Sequence, residues 1–73
     1  MTKGLPKSII DKTDTFYKLR VHNGLVNYVY NYFASYLAAV DVANALKDIG
    51  ICTSYSIEHA DKEEIPVTDE YYA

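Results

Sequence analysis

The dipeptide Asn23-Gly24 lies between two runs of apolar and aromatic residues, and it constrains the fold of this chain more than any other feature. Asn-Gly between alternating apolar residues is the strongest short-range signal for a β-hairpin, because a type I′ turn needs positive φ at both central positions. With these two residues as the loop, the sequence predicts strands over about 15–22 and 25–33.

This loop fixes the register of the predicted hairpin. Side chains alternate between the two faces of a strand, so facing residues share a side. Six apolar or aromatic residues then pair on the face that would turn to the core: Val21 with Val26, Leu19 with Tyr28 and Tyr17 with Tyr30. Basic residues of the first strand share the other face: Lys18, Arg20 and His22. One long helix over 24–48, capped by Asn23, is the competing interpretation, and the poor helix formers of 26–32 argue against it.

A helix and a third strand follow. Ser35 is a good N-cap for a helix over Tyr36–Asp48, and Gly50 suits the left-handed residue that ends one, with Ile49 and Ile51 as its flanking hydrophobic contact. Apolar residues at spacings of three and four form the predicted buried stripe: Tyr36, Ala39, Val40, Ala43 and Leu46, widened by Leu37 and Val42. Residues 51–59 alternate again, which predicts a strand whose inner face carries Ile51, Thr53, Tyr55 and Ile57.

The sequence therefore predicts one small α+β domain over 1–73, with the order strand, strand, helix, strand (ββαβ). The helix would pack on one face of a mainly antiparallel sheet whose first strand is central. Residues 65–67 are expected to form a short fourth edge strand, because Pro66 is tolerated there. Residues 1–14 are expected to form either a loose arm or a short helix over 7–11 begun by Pro6, and residues 69–73 are expected to form a loose acidic tail.

Composition excludes several classes of protein. The single cysteine, Cys52, cannot form an intramolecular disulfide, which suits a reducing compartment. No apolar run approaches the roughly 18–20 residues of a membrane span, and residues 1–10 contain no apolar core of a signal peptide. We expect a soluble, cytoplasmic protein without a membrane partner.

We expect neither a cofactor, nor a metal, nor catalysis. Gly4, Gly24 and Gly50 stand alone, so no phosphate-binding loop can be assembled. One cysteine and two histidines cannot supply a structural zinc site. Cys52 and His59 lie an odd number of residues apart on the predicted strand, so they should point to opposite faces.

The charges are distributed unevenly. Residues 1–22 carry a net charge of +3 and residues 41–73 a net charge of −6. Carboxylates interleaved with tyrosine suit docking on a basic protein surface, because charge speeds association and tyrosine anchors it. The predicted partner-binding residues are Tyr55, Glu58, Asp61, Glu63, Glu64, Asp69, Glu70, Tyr71 and Tyr72. This profile suggests an inhibitor or adaptor of the kind found in viruses and mobile elements, and a tail that only keeps the chain soluble is the plainer alternative.

Two further functions are weighed beside that one. Lys18, Arg20 and His22, with Phe16 on the same face, would form a small platform for single-stranded nucleic acid. The net charge of −3 makes this the weaker alternative. A leftover apolar face or strand edge would instead be buried in a homodimer of a self-associating structural protein.

Overall fold

The structure, a computed structural model, describes residues 4–68. Its elements in chain order are β1 (Leu5–Pro6), α1 (Lys7–Lys12), β2 (Phe16–Asn23), β3 (Val26–Phe33), α2 (Tyr36–Asp48), β4 (Ser54–Ala60), a 3₁₀ helix (Lys62–Glu64) and β5 (Val67–Thr68). An antiparallel sheet of three strands has the order β3-β2-β4, and α2 packs across it. The predicted α+β fold, with the first hairpin strand at the centre of the sheet, is confirmed.

The hairpin turn differs from the prediction by one residue. Asn23 pairs with Val26, so the loop is Gly24-Leu25, and Val21 faces Tyr28 rather than Val26. Gly24 has a φ of 64°, whereas no other residue type within 4–68 has positive φ. This is the pattern of a type II′ turn, which needs glycine at its first central position only. Asn23 remains extended, and its side-chain amide donates to the carbonyl oxygen of Ile51 at 3.0 Å.

A β-bulge changes the register again farther from the turn. Arg20 pairs with Val29 but Leu19 pairs with Asn31, so Tyr30 is the extra residue of β3. Beyond the bulge Tyr32 pairs with Lys18 and is buried on the face that was predicted to be basic. The predicted pairs of Leu19 with Tyr28 and of Tyr17 with Tyr30 are therefore wrong, because the displaced turn moves each partner by two residues and the bulge moves it by one more, to Asn31 and Phe33.

The ends of α2 follow the sequence signals. The Ser35 hydroxyl oxygen accepts a hydrogen bond from the Ala38 N–H at 3.3 Å, which caps the first turn. At the other end Gly50, with a φ of 83°, lets the N–H of Ile51 reach the Leu46 carbonyl oxygen at 2.9 Å. Ile49 and Ile51, expected to supply the flanking hydrophobic contact, both have exposed side chains.

The face of the sheet beneath α2, here called the α2 face, carries the first core. Its buried residues are Leu19, Val21, Ala43, Leu46 and Cys52, with Tyr30, Phe33, Val42, Tyr55 and Ile57 packed against them. β4 begins only at Ser54, so the predicted alternation does not extend to Cys52, which turns into the core while Ile51 is exposed. Tyr36 and Leu37, predicted in the buried stripe, are also exposed, because the first turn of α2 extends past the core.

The opposite face, here called the α1 face, carries a second core that joins both ends of the described chain. Ile10, Phe16, Tyr32 and Ile65 are buried together there. β5 pairs in parallel with β1 rather than extending the three-stranded sheet as a fourth edge strand. Gly4 permits this pairing, because a Cβ at that position would overlap the carbonyl oxygen of Pro66, and its positive φ of 88° suits glycine.

Candidate protein-binding surface

A cluster of ion pairs occupies the part of the α1 face that was predicted to be basic. Lys18 Nζ lies 3.9 Å from a Glu58 carboxylate oxygen and 3.2 Å from one of Glu64. Arg20 Nε lies 3.4 Å from the other oxygen of Glu58. The Lys18 side chain is only 17% exposed, so it is partly shielded from water. These four residues are called the ion-pair cluster below.

The register of the sheet and the 3₁₀ helix together build this cluster. Lys18 and Glu58 are direct neighbours across β2 and β4, with Arg20 on the same face. Glu64 comes from the 3₁₀ helix, where its other carboxylate oxygen accepts the N–H of Asp61 at 3.0 Å. The hydrogen bond from the Asp61 backbone, followed by the bond from Lys18, lowers the pKa of Glu64 below its ordinary value. Glu64 is thus held in its charged form in two ways.

The cluster unites residues that the sequence assigned to two different functions. Glu58 and Glu64 were predicted to bind a partner, whereas Lys18 and Arg20 were predicted to bind nucleic acid. In the structure they neutralise one another. The carboxylates beside them that form no ion pair within residues 4–68 are those of Asp61 and Glu63, both exposed. Asp61 and Glu63 are called the acidic corner below.

The predicted partner-binding tyrosine of β4 lies elsewhere. Tyr55 is on the α2 face, half-buried against the core, and the Lys47 ammonium lies 5.9 Å from the centre of its ring. Tyr55 and Glu58 are an odd number of residues apart and so do not share a surface. Asp69, Glu70, Tyr71 and Tyr72 lie outside the described residues.

The proposed nucleic-acid platform has no exposed ring in this geometry. Phe16 is fully buried, and Lys18 and Arg20 are paired with carboxylates. The carbonyl oxygen of His22 accepts hydrogen bonds from the N–H and the hydroxyl of Thr53, at 2.9 and 3.1 Å. Stacking of bases needs exposed aromatic faces, and the buried ring of Phe16 does not offer one.

Cys52 and His59 are not brought together. Cys52 is a buried free thiol in the α2-face core. His59 is exposed, and its ring lies 5.3 Å from that of Tyr17, which in turn meets the ring of Tyr36 edge-on at 5.7 Å. Alternation along the strand separates Cys52 from His59 but does not say what lies across from either, so the ring contact of His59 with Tyr17 was not predicted.

A second exposed surface was also missed in the sequence. Four large apolar side chains protrude at the hairpin turn and at the loop after α2: Leu25, Val26, Ile49 and Ile51. The signal that could have found them is the lack of Asp, Glu, Lys and Arg throughout 21–40 and 49–57.

Within residues 4–68, no group of three or more His, Cys, Asp or Glu side chains is arranged to hold a metal ion. The same part of the chain contains no helix with the length and apolarity that crossing a membrane requires. Comparison with known proteins found no significant match to any family model, curated protein or solved structure.

Proposed function

We propose that this protein is a small, non-enzymatic binding module that docks an acidic surface on a basic protein partner, as an inhibitor or an adaptor. The observation that carries the proposal is the acidic corner. Asp61 and Glu63 are exposed on either side of Lys62 in the sequence, beside a fixed ion-pair cluster, and neither forms an ion pair within residues 4–68. An Arg- or Lys-rich surface would supply the missing counter-charges and speed association.

The ion-pair cluster supports the same role by fixing the position of the corner. Glu64 ties the 3₁₀ helix to Lys18 of the central strand, so Glu63 is presented from a short helix anchored on the sheet. A preorganised acidic group loses less conformational entropy on binding than one on a free loop. The buried free thiol of Cys52 suits a reducing compartment, and we assign the protein to the cytoplasm on that ground.

The test reverses one charge of the corner without touching the cluster. Glu63→Lys is compared with Asp41→Lys, which makes the same change of charge at an exposed acid on α2. Tagged chains are used to capture partners from nuclease-treated lysate of the native host, and each captured protein is then titrated in purified form. We expect Glu63→Lys to weaken binding several-fold, chiefly through a slower association rate, and Asp41→Lys to leave it unchanged.

Equal binding by both variants and the wild-type chain would reject the acidic-docking proposal. Capture that occurs from untreated lysate but not from nuclease-treated lysate would favour the nucleic-acid function instead. Glu64→Lys is avoided, because a second ammonium beside Lys18 would disturb the fold as well as the surface.

A further inference from the structure

β4 is an edge strand whose outer side has no neighbouring strand within residues 4–68. The three-stranded sheet has the order β3-β2-β4, so β4 pairs with β2 on its inner side only. That pairing runs over all seven residues of Ser54–Ala60 without a bulge. A regular edge strand of this kind offers a row of backbone N–H and C=O groups to another extended chain.

The hydrogen bonds of β2 determine which backbone groups of β4 point outward. The His22 carbonyl oxygen accepts the N–H of Thr53, so this carbonyl group points toward the β4 side of β2. Antiparallel strands exchange both hydrogen bonds at every second pair, and His22 pairs with Ser54. Ser54 and every second residue after it therefore bond to β2. The residues between them turn their N–H and C=O groups outward: Tyr55, Ile57 and His59.

The other edge of the sheet is protected, whereas the outer edge of β4 is not. In β3 the bulge at Tyr30 interrupts the ladder, and the N–H of Gly4 donates to the Asn31 side-chain oxygen at 2.9 Å. Proteins commonly protect edge strands with bulges, lysine or proline. β4 contains none of these. Its one residue that is charged at neutral pH is Glu58, which is held in the ion-pair cluster.

The sequence of β4 is complementary to itself in an antiparallel arrangement. A two-fold axis at Ile57 would pair Ile57 with its own copy and Tyr55 with His59 of the second copy. These are the residues whose backbone groups point outward, so each pair could exchange two hydrogen bonds. Opposite residues share a face of the sheet, which would place the Glu58 carboxylate beside the Ser56 hydroxyl of the second copy. No like charges would lie directly opposite each other.

We propose that the outer edge of β4 is a self-association surface whose occupant is β4 of a second copy of this chain. The two sheets would then join into one sheet of six strands. Asp61 follows β4 directly, so the two acidic corners would lie at opposite ends of the contact, roughly 26 Å apart. That distance exceeds the Debye length of about 8 Å at physiological salt. The self-complementary register favours a second copy over a strand of another protein.

Sedimentation velocity of the full chain from micromolar to millimolar concentration tests this proposal. We expect the mass to rise from 8.3 kDa toward twice that value. His59→Pro should weaken association about tenfold or more, because it removes one outward N–H from each copy and leaves the bonds to β2 in place. His59→Ala is the matched control. It also removes the imidazole and its contact with Tyr17 but keeps the N–H, so it should weaken association less.

N-methylation of the Ile57 amide is a second variant that changes no side chain. It is made by ligating a synthetic segment 52–73 at Cys52, the single cysteine, and it should abolish the central pair and with it most of the association. The amide spectrum of each variant reports whether it is folded.

A wild-type chain that stays at 8.3 kDa throughout would overturn the proposal. So would an N-methylated chain that associates like the wild-type chain. Equal weakening by His59→Pro and His59→Ala would also contradict it, since side chains rather than the strand edge would then hold the copies together. A monomer whose Tyr55, Ile57 and His59 amides become protected only when a captured partner is added would replace the second copy by a strand of that partner.

Discussion

The two faces of the central sheet are covered in different ways. The α2 face is closed by one helix that follows directly after the hairpin. Its core is therefore built from elements that are consecutive along the chain, β2 to β4. The α1 face is closed by short pieces from both ends of the described chain, with Ile10 from α1 and Ile65 from the segment before β5. Because α2 covers only one face of the sheet, the segments around Ile10 and Ile65 form a second layer on the other face.

The same difference determines which charged residues remain for binding. On the α1 face Glu58 of β4 and Glu64 of the 3₁₀ helix form ion pairs with Lys18 and Arg20 of β2. Their charges are therefore neutralised within the fold. Within residues 4–68, no ion pair involves a residue that packs in the α2-face core. The carboxylates that remain for a partner are the exposed ones outside these ion pairs, such as Asp61 and Glu63.

The largest expected effect comes from cutting the second core. Phe16→Ala removes a fully buried ring from the α1 face and should lower the free energy of unfolding by about 3–5 kcal/mol. Leu19→Ala, on the same strand but facing α2, should cost about 2–5 kcal/mol. Urea unfolding of both variants measures this. A loss below about 1 kcal/mol for Phe16→Ala would mean that the α1 face is not a core.

A smaller effect is expected where the terminal segments meet. Gly4→Ala would force a Cβ onto the Pro66 carbonyl oxygen and would keep a residue with positive φ, so about 1–3 kcal/mol of stability should be lost. Gly50→Ala is the matched control, because its φ is also positive but nothing lies within 4 Å of the added Cβ. Unfolding free energies that are equal for the two variants would contradict the close approach of β1 to the chain before β5.

The smallest effect concerns pH. The pKa of Glu64 is lower in the folded chain than its ordinary value of 4.5, so the unfolded chain binds the proton more readily. The stabilisation from Glu64 is therefore complete above that value and is lost as the pH falls through the folded pKa. Glu64→Gln should make stability fall less steeply over this acidic range in urea unfolding. An unchanged slope would show that Glu64 is not held by Lys18 and the Asp61 backbone.

The elements that could be predicted are those encoded locally. Ser35 and Gly50 fix the ends of α2 through bonds to residues three to five positions away, and alternation marks the strands. The exact position of the hairpin turn could not be predicted, because Asn-Gly also permits a type I′ turn. The type II′ turn is supported by a hydrogen bond from the Asn23 side chain to Ile51, which is far along the chain. The bulge likewise depends on fitting Tyr30 and Tyr32 to opposite cores.

The candidate site was predictable as a set of residue types but not as a surface. Lys18 meets Glu58 only because β4 pairs with β2 in one particular register, which neither strand specifies alone. Glu64 reaches the same lysine through a 3₁₀ helix whose position depends on the second core. Summing charges along the sequence therefore overstated the acidity of this surface.

Nuclear Overhauser effects measured on the full chain show whether both faces of the sheet are covered. We expect them from the Phe16 ring to the methyl groups of Ile10 and Ile65, and from Leu19 to Ala43 and Leu46. Effects between Leu19 and α2 alone, with the Phe16 ring open to solvent, would mean that only the α2 face is covered.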